Sequence, residues 1–378
     1  MLMFFRKLKN LKEKHLFRDL KDRETPQGSR IGLNDKEYIN FSSNDYLGLA
    51  NHPYIIDKVK KALDTYGYGS SASRLLCGGS TLHKELENKI AEFKTTESAL
   101  VFNSGYAANT GVIPAIADKD DVIFSDELNH ASIIDGCRLS KSNVLIYKHK
   151  DLLHLKDLIR KEEAKKKVVV TDTVFSMEGD IAPIYDIYEI CGENNVVLYI
   201  DDAHGTGVLG NGRGALSYFN IKPEPWIIQM GTFSKALGSY GAFLAGSSDV
   251  IQWTLNNARS FIFSTALPSC VIAASIAALE LLENNSELIK KLWENRNKAA
   301  IGIQKAGYDI LGSETPIIPI RTRNIENTLR VSEHLFKKGI FAPAIRPPAV
   351  KEPRIRIIVT AAHTDEDIEK LIEALREV

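Results

Sequence analysis

An α/β fold with a large, mostly parallel central sheet and a small C-terminal α+β domain is what this sequence predicts, on three observations. Between residues 55 and 250, short apolar runs (99–102, 122–124, 144–147, 168–171, 196–200, 226–230 and 242–245) alternate with spacers of helix length. The runs are continuous rather than alternating, as in strands covered on both faces by crossover helices. Beyond residue 285 the pattern changes to helix, strand (317–320), helix (325–338), strand (354–360) and helix (364–378). A chain of 378 residues suits more than one domain. The expected division is an N-terminal helix and strand arm over 1–45, a large domain over 46–275 and a small domain over 276–378.

The chain opens on a charge-rich amphipathic pattern, 1–24, which predicts a helix with one face packed against something else. Residues 25–28 break it, 37–41 predict a short strand, and 264–285 predict a long helix leading into the C-terminal domain. Lys plus Arg and Asp plus Glu each number 48, so the formal charge is zero. Nucleic acid is thereby excluded as the main partner, because its phosphates demand a surplus of basic groups. The cysteines Cys77, Cys137, Cys191 and Cys270 are scattered with no CxxC pair, so neither a disulfide framework nor a metal site is expected. The longest apolar run, 271–279, falls well short of the roughly 20 residues of a membrane span. The first residues, MLMFF, precede the basic ones, the reverse of a secretory leader. A cytoplasmic protein without a membrane partner is the expectation.

In an open α/β sheet, ligands bind beyond the carboxyl ends of the strands. Run 99–102 is followed by Asn103-Ser104-Gly105-Tyr106-Ala107-Ala108-Asn109, a small turn into a helix. Its free N–H groups suit a phosphate, although a plain capped helix has the same signature. Run 122–124 leads to Asn129-His130, and run 168–171 to Asp172 and Phe175-Ser176-Met177-Glu178-Gly179-Asp180. Run 196–200 leads to Asp201-Asp202-Ala203-His204-Gly205. A lone histidine is usually structural, but a strand-end carboxylate needs a partner, and a protonated ring nitrogen is a natural one. Run 226–230 leads to Gly231-Thr232-Phe233-Ser234-Lys235. A lysine at the end of a buried strand can form a Schiff base; a snorkelling surface lysine is the competing reading. Together these segments supply the parts of a pyridoxal phosphate site. Gly205-Thr206-Gly207-Val208-Leu209-Gly210 matches GxGxxG, but Asp201–His204 intervenes and the glycine-rich loop continues where a helix should open, so no nicotinamide site is predicted.

The chain resembles the α-oxoamine synthases, pyridoxal phosphate enzymes of fold type I, over nearly its whole length. The resemblance is carried by Asn40-Phe41-Ser42-Ser43-Asn44-Asp45-Tyr46-Leu47-Gly48-Leu49, Gly69-Ser70-Ser71-Ala72-Ser73-Arg74-Leu75, Ser104-Gly105-Tyr106-Ala107-Ala108-Asn109, Asn129-His130-Ala131-Ser132, and the segments around Ser176, Asp201 and Lys235. It implies that Lys235 holds the cofactor covalently and moves the substrate Cα proton, with Asp201 on the pyridine nitrogen. It implies His204 and Ser176 on the ring oxygen, His130 stacked on the ring and reaching the substrate, Gly105 and Tyr106 at the cofactor, and Thr232 at its phosphate. Asn44 and Arg356 would hold the amino-acid carboxylate, and Arg18 would contact substrate from the N-terminal helix. Ala349 stands where the family often has a substrate-contacting Thr, directly after Arg346-Pro347-Pro348.

That Ala344–Pro348 segment, with Arg354-Ile355-Arg356 and Thr360-Ala361-Ala362-His363, resembles the branch that condenses L-alanine with a pimeloyl thioester, carried on coenzyme A or a carrier protein, on the way to biotin. A glycine-using acyltransferase forming 2-amino-3-ketobutyrate is the alternative within the family, and a nicotinamide oxidoreductase the one outside it. The resemblance further implies a homodimer with the active site at its interface.

Overall fold

The computed structural model describes residues 2–378. Its strands, in chain order, are β1 (Arg30–Leu33), β2 (Lys36–Asn40), β3 (Ser98–Phe102), β4 (Val122–Asp126), β5 (Asn143–Tyr147), β6 (Lys167–Asp172), β7 (Val197–Asp201), β8 (Ile227–Thr232), β9 (Ala242–Gly246), β10 (Ile317–Arg321), β11 (Ile340–Phe341), β12 (Ala344–Ile345) and β13 (Arg354–Ile358). The chain forms two compact units. The larger comprises Asp45–Ser176 and Ile181–Lys290; the smaller comprises the segment up to Asn44, Met177–Asp180 and Lys291–Val378.

The larger unit is built on one sheet of order β3-β9-β8-β7-β6-β4-β5. Strands β4 to β8 pair in parallel, and β9 is antiparallel to both of its neighbours. Helices Gly105–Ile116 and Ala131–Ser140 cover one face, burying Ile113 and Ile133 against Ile123, Val170, Tyr199 and Met230. Burial on both faces explains the unbroken apolar runs: every residue of β4, β8 and β9 is buried. At the sheet edge, β5 leaves Ile146 exposed.

The smaller unit holds two three-stranded sheets, β10-β13-β12 and β1-β2-β11. Its core joins Phe41, Ile318, Ile320, Ile355 and Ile357 to Leu335 of helix Ile325–Lys337 and Leu371 of helix Asp365–Arg376. The expected arm is therefore part of this unit, since Ile39 and Phe41 lie in that core. The expected boundary at 275/276 falls inside helix Ser269–Asn284; the division comes at 290/291, within helix Ser286–Lys305. The physical reason is burial. Cys270 and Ala273 pack on Ala62 of helix Pro53–Tyr66, so the whole apolar helix belongs to the larger unit. That helix also starts later than predicted, because Pro268 disfavours helical backbone at the residue before it.

The N-terminal helix is shorter than the pattern 1–24 predicts, running Leu2–Glu13. His15 adopts φ 55, and Leu16 N–H bonds back to Leu11 O at 2.8 Å, a left-handed cap that terminates the helix. Arg18 consequently lies on irregular chain beyond the helix rather than on it.

His363, from the Thr360–His363 segment, is structural. Its ring stacks on Phe41 with centroids 4.2 Å apart, accepts the Thr360 N–H at Nδ1 (3.0 Å) and donates from Nε2 to Asn40 O (3.2 Å). Burial pushes its pKa down to about 4. The unfolded chain, with an ordinary value near 6.5, thus binds the extra proton, and stability falls as pH drops through this window. Denaturant unfolding should show a loss of about 3 kcal/mol between pH 6.5 and 4 from this group. His363→Gln, which keeps an acceptor and a donor but cannot titrate, should flatten that limb.

Candidate active site

The strand order of the larger unit reverses at β4, whose chain continues to β5 on one side and then returns to β6 on the other. Sites form at such reversals, beyond the carboxyl ends of the strands. Three adjacent strands end there in aspartates: Asp126 on β4, Asp172 on β6 and Asp201 on β7. Asp201 is 3 % exposed. It accepts the Ala203 N–H at 3.0 Å and the Asn109 amide at 2.8 Å, both neutral donors. These N–H donors favour the carboxylate form and leave its charge uncancelled by the donors themselves, which fits a ligand with a protonated ring nitrogen.

His130 caps helix Ala131–Ser140, and its own N–H donates to Asp172 at 2.7 Å. Its Nδ1 lies 2.7 Å from Ser132 Oγ. Burial pushes His130 below the usual imidazole range, the Asp201 charge pulls it back up, and Lys235 pushes it down. Burial, then the Asp201 charge, holds the Asp172 carboxyl well above its usual range. Lys235, just past β8, is therefore within electrostatic reach of both groups. His204, following β7, is held at Nδ1 by the Tyr46 hydroxyl at 2.7 Å.

Ser104 caps helix Gly105–Ile116, whose first-turn N–H groups present the anion-binding end of a helix beside Gly105 and Tyr106. The Tyr106 hydroxyl turns to Asp135. Thr232 Oγ1 lies 2.6 Å from Ser234 Oγ and 2.8 Å from Gly241 O, adding hydroxyls at the end of β8. A cofactor-sized anion with a pyridine ring fits these groups: helix N–H and hydroxyls for a phosphate, Asp201 for a ring nitrogen and Lys235 for an aldehyde. Ser176 closes the segment after β6 in the same unit. Residues 205–214 run as successive turns, with no helix before Ala215–Tyr218, so the GxGxxG match lacks its helix. No group of His, Cys, Asp and Glu among the described residues could hold a metal ion.

The remaining expected residues belong to the smaller unit. Arg356 donates to Asn44 Oδ1, bringing that pair together. Arg18 donates to Pro347 O at 3.1 Å, and Arg346 donates to the carbonyls of His15 and Phe17. Burial and the Arg18 charge lower the Arg346 pKa, so the two guanidinium groups lie within reach of each other. Ala349 lies three residues on, its N–H bonded to Arg346 O.

Sequence reading assigned no role to Asn109, Ser132, Tyr199, Tyr46 or Lys94. Lys94 donates to Asp202 (2.7 Å), Thr206 and Arg213 O, and is almost wholly buried. The available signals were a tyrosine inside the apolar run 196–200 and a lysine closing an apolar helix end.

The electrostatics around His130 make a signed prediction. In the cofactor-free chain its NMR titration midpoint should lie below the ordinary value near 6.5. Asp201→Asn should lower it further by removing an anion, and Lys235→Ala should raise it by removing a cation.

Residues 36–375 match a family model, that of aminotransferase class I and II. The chain is 54% identical over 99% of its length, and 96% of the relative's, to a putative 8-amino-7-oxononanoate synthase of Thermodesulfovibrio yellowstonii. It is 45% identical to the 8-amino-7-oxononanoate synthase of Thermoanaerobacter pseudethanolicus, covering 98% of this chain and 95% of that one. A solved serine palmitoyltransferase variant from S. paucimobilis, with bound PLP–myriocin, superposes with a TM-score of 0.94 at 26% identity, covering 99% of this chain and 96% of that one. The chain belongs to the aminotransferase class I and II family.

Proposed function

We propose that this chain catalyses the reaction of the 8-amino-7-oxononanoate synthases, condensing L-alanine with a pimeloyl thioester and releasing CO2 and free thiol, a step of biotin synthesis. One observation carries the reading: Asp201, His130 and Lys235 meet at adjacent strand ends in a chain matched almost end to end by those synthases. The cofactor is pyridoxal phosphate, which when bound supplies the electron sink for carbanion chemistry.

The chain's own residues do the rest. Lys235 would hold the cofactor through its amine and carry the substrate Cα proton. The Asp201 anion keeps the pyridine nitrogen protonated, since a nearby opposite charge favours the charged form. The N–H groups at Gly105 and Tyr106 and the Thr232 hydroxyl take the phosphate, and His204 and Ser176 take the ring oxygen. His130 would stack on the ring. Asn44 and Arg356 would take the alanine carboxylate, a planar anion whose shape suits a guanidinium. Arg18 and Arg346 are two like charges that an anion between them relieves, which suits the far carboxylate of a pimeloyl chain. Ala349 contributes no hydroxyl there.

We also infer a cytoplasmic homodimer. Helix Leu2–Glu13 exposes Phe4, Phe5, Leu8 and Leu11 along one side, an apolar stripe suited to a second copy. Among the described residues, no helix is long and apolar enough to cross a membrane.

The test is direct. Purified chain given L-alanine and a pimeloyl thioester should release CO2 and form 8-amino-7-oxononanoate, read by mass spectrometry, in a species that sediments as a dimer. Glycine with acetyl-CoA should be a far poorer pair; the reverse preference would move the chain to the 2-amino-3-ketobutyrate branch. Lys235→Ala should abolish turnover, and borohydride should no longer fix the cofactor to the chain. Arg18→Ala should raise KM for the pimeloyl thioester roughly ten- to hundredfold, the worth of a charge-assisted contact, and leave KM for alanine nearly unchanged. Unaltered chain-length preference in that variant would make Arg18 structural.

A further inference from the structure

Four buried groups of the larger unit, Tyr199, Asn109, Asp201 and Ser132, form one continuous hydrogen-bond chain with the exposed His130. The Tyr199 hydroxyl lies 2.6 Å from Asn109 Oδ1, and Asn109 Nδ2 lies 2.8 Å from both Asp201 Oδ2 and Ser132 Oγ. Ser132 Oγ lies 2.7 Å from His130 Nδ1, and the Ser132 N–H points at the same nitrogen from 3.3 Å. Asn109 and Tyr199 are fully buried and Ser132 is 1 % exposed, so water does not compete for the bonds among Tyr199, Asn109, Asp201 and Ser132.

The direction of every bond follows from the chemistry of its ends. An ionised carboxylate only accepts, so the Asn109 amide must turn its NH2 toward Asp201; the reversed amide would set two acceptors face to face. Its carbonyl then faces Tyr199, which donates. The second amide hydrogen goes to Ser132 Oγ, which is therefore an acceptor on that side. With its oxygen accepting from Asn109, the Ser132 hydroxyl turns its hydrogen to His130 Nδ1 at 2.7 Å, the shorter of the two bonds to that nitrogen, and the Ser132 backbone N–H adds a longer one at 3.3 Å, so Nδ1 accepts. A neutral imidazole that accepts at Nδ1 carries its proton at Nε2. The depressed pKa of His130, caused first by burial, agrees with a ring that stays neutral.

We propose that Asn109 is a positioning residue that sets the proton pattern of the site, holding Asp201 as an anion with one amide hydrogen and, through Ser132, fixing His130 as a neutral Nε2–H donor with the other. His130 then offers a hydrogen bond to an oxygen of the substrate and does not act as its base. Proton removal at Cα is left to Lys235. This catalytic consequence rests on the function proposed above; the proton assignment rests on the hydrogen bonds alone.

Nitrogen-15 NMR of histidine-labelled full-length chain, with and without pyridoxal phosphate, tests it. The His130 signals are identified by their loss in His130→Gln. The wild-type ring should be neutral near pH 7 with its proton on Nε2; a proton on Nδ1 overturns the proposal without need of any variant. Asn109→Asp is the isosteric reversal, turning both donors into acceptors. The serine hydroxyl should swing to the new carboxylate, and His130 should gain a proton at Nδ1. An unchanged tautomer in that variant also overturns the proposal. Asn109→Ala should weaken pyridoxal phosphate binding by roughly tenfold or more through Asp201, read by fluorescence titration, whereas Ser132→Ala should change it little. Equal losses in the two would reduce the network to general packing. A chain inactive with L-alanine and pimeloyl thioester would sink the function and leave these readings standing, while a wrong tautomer would leave the condensation intact.

Discussion

The site of the larger unit depends on keeping one carboxylate charged at a dry strand end. Burial alone drives an aspartate toward its neutral form. Asp201 is offset by neutral N–H donors, which favour the anion without cancelling its charge. Its neighbour Asp202 is treated in the opposite way. Asp202, the first residue past β7, has a different set of partners from Asp201. It meets Lys94 at 2.7 Å, with the Thr173 and Thr206 hydroxyls and the Ala215 N–H completing its shell. One aspartate is paired with a lysine, and its neighbour is met by neutral N–H donors. A buried ion pair of this kind adds little net stability, but removing one partner strands the other, at about 3–5 kcal/mol.

The same pair explains the glycine-rich segment that imitates a dinucleotide fingerprint. A Cβ at Gly205 would lie 2.1 Å from Asp202 Oδ1, and one at Gly214, where φ is +99, would lie 1.8 Å from Asp202 Oδ2. Gly205 and Gly214 are glycines because the loop wraps closely around a carboxylate and its lysine, while Gly207, Gly210 and Gly212 take positive φ against Ala236, Tyr218 and Leu282. Glycine spacing alone cannot separate that cause from close approach to a pyrophosphate. The backbone after the glycines does separate them: a phosphate-binding loop opens a helix, and here successive turns continue instead.

Legibility in the sequence tracked the range of the interaction. The strands of the large sheet were visible because burial on both faces writes a continuous apolar run, and the strand-end polar groups because they interrupt it. The two-residue strands β11 and β12 were invisible, since so short a segment has no period and owes its conformation to pairing with β2 and β13. The N-terminal helix was overrun because a polar, charge-rich pattern continues past Glu13, whereas the stop is a left-handed His15, a residue that carries no stop signal. Lys94 and Asp202 are 108 positions apart, and Asn109 and Asp201 are 92 apart. Nothing local in the chain announces either pairing. The strand-end polar groups could be read from the chain, but not the groups that hydrogen-bond to them.

The row of aspartates then has an electrostatic logic that no single residue shows. Asp126 is occupied by the Leu128 and Lys150 N–H groups and by His149 at 3.0 Å. Asp172 and Asp201 end neighbouring, register-paired strands, where two like charges in a dry environment cannot both be cheaply ionised. The two differ in their bonds. Asp201 has two N–H donors, one of them from a side chain fixed at its far end by Tyr199; the bond drawn to Asp172 is the single His130 N–H. Asp172 is the one pushed toward its neutral form, by burial first and then by the Asp201 charge. The paired strands thus concentrate negative charge at one carboxylate, next to the backbone that carries His130 and within electrostatic reach of Lys235. A cationic ring placed there meets one localised charge instead of a diffuse acidic surface.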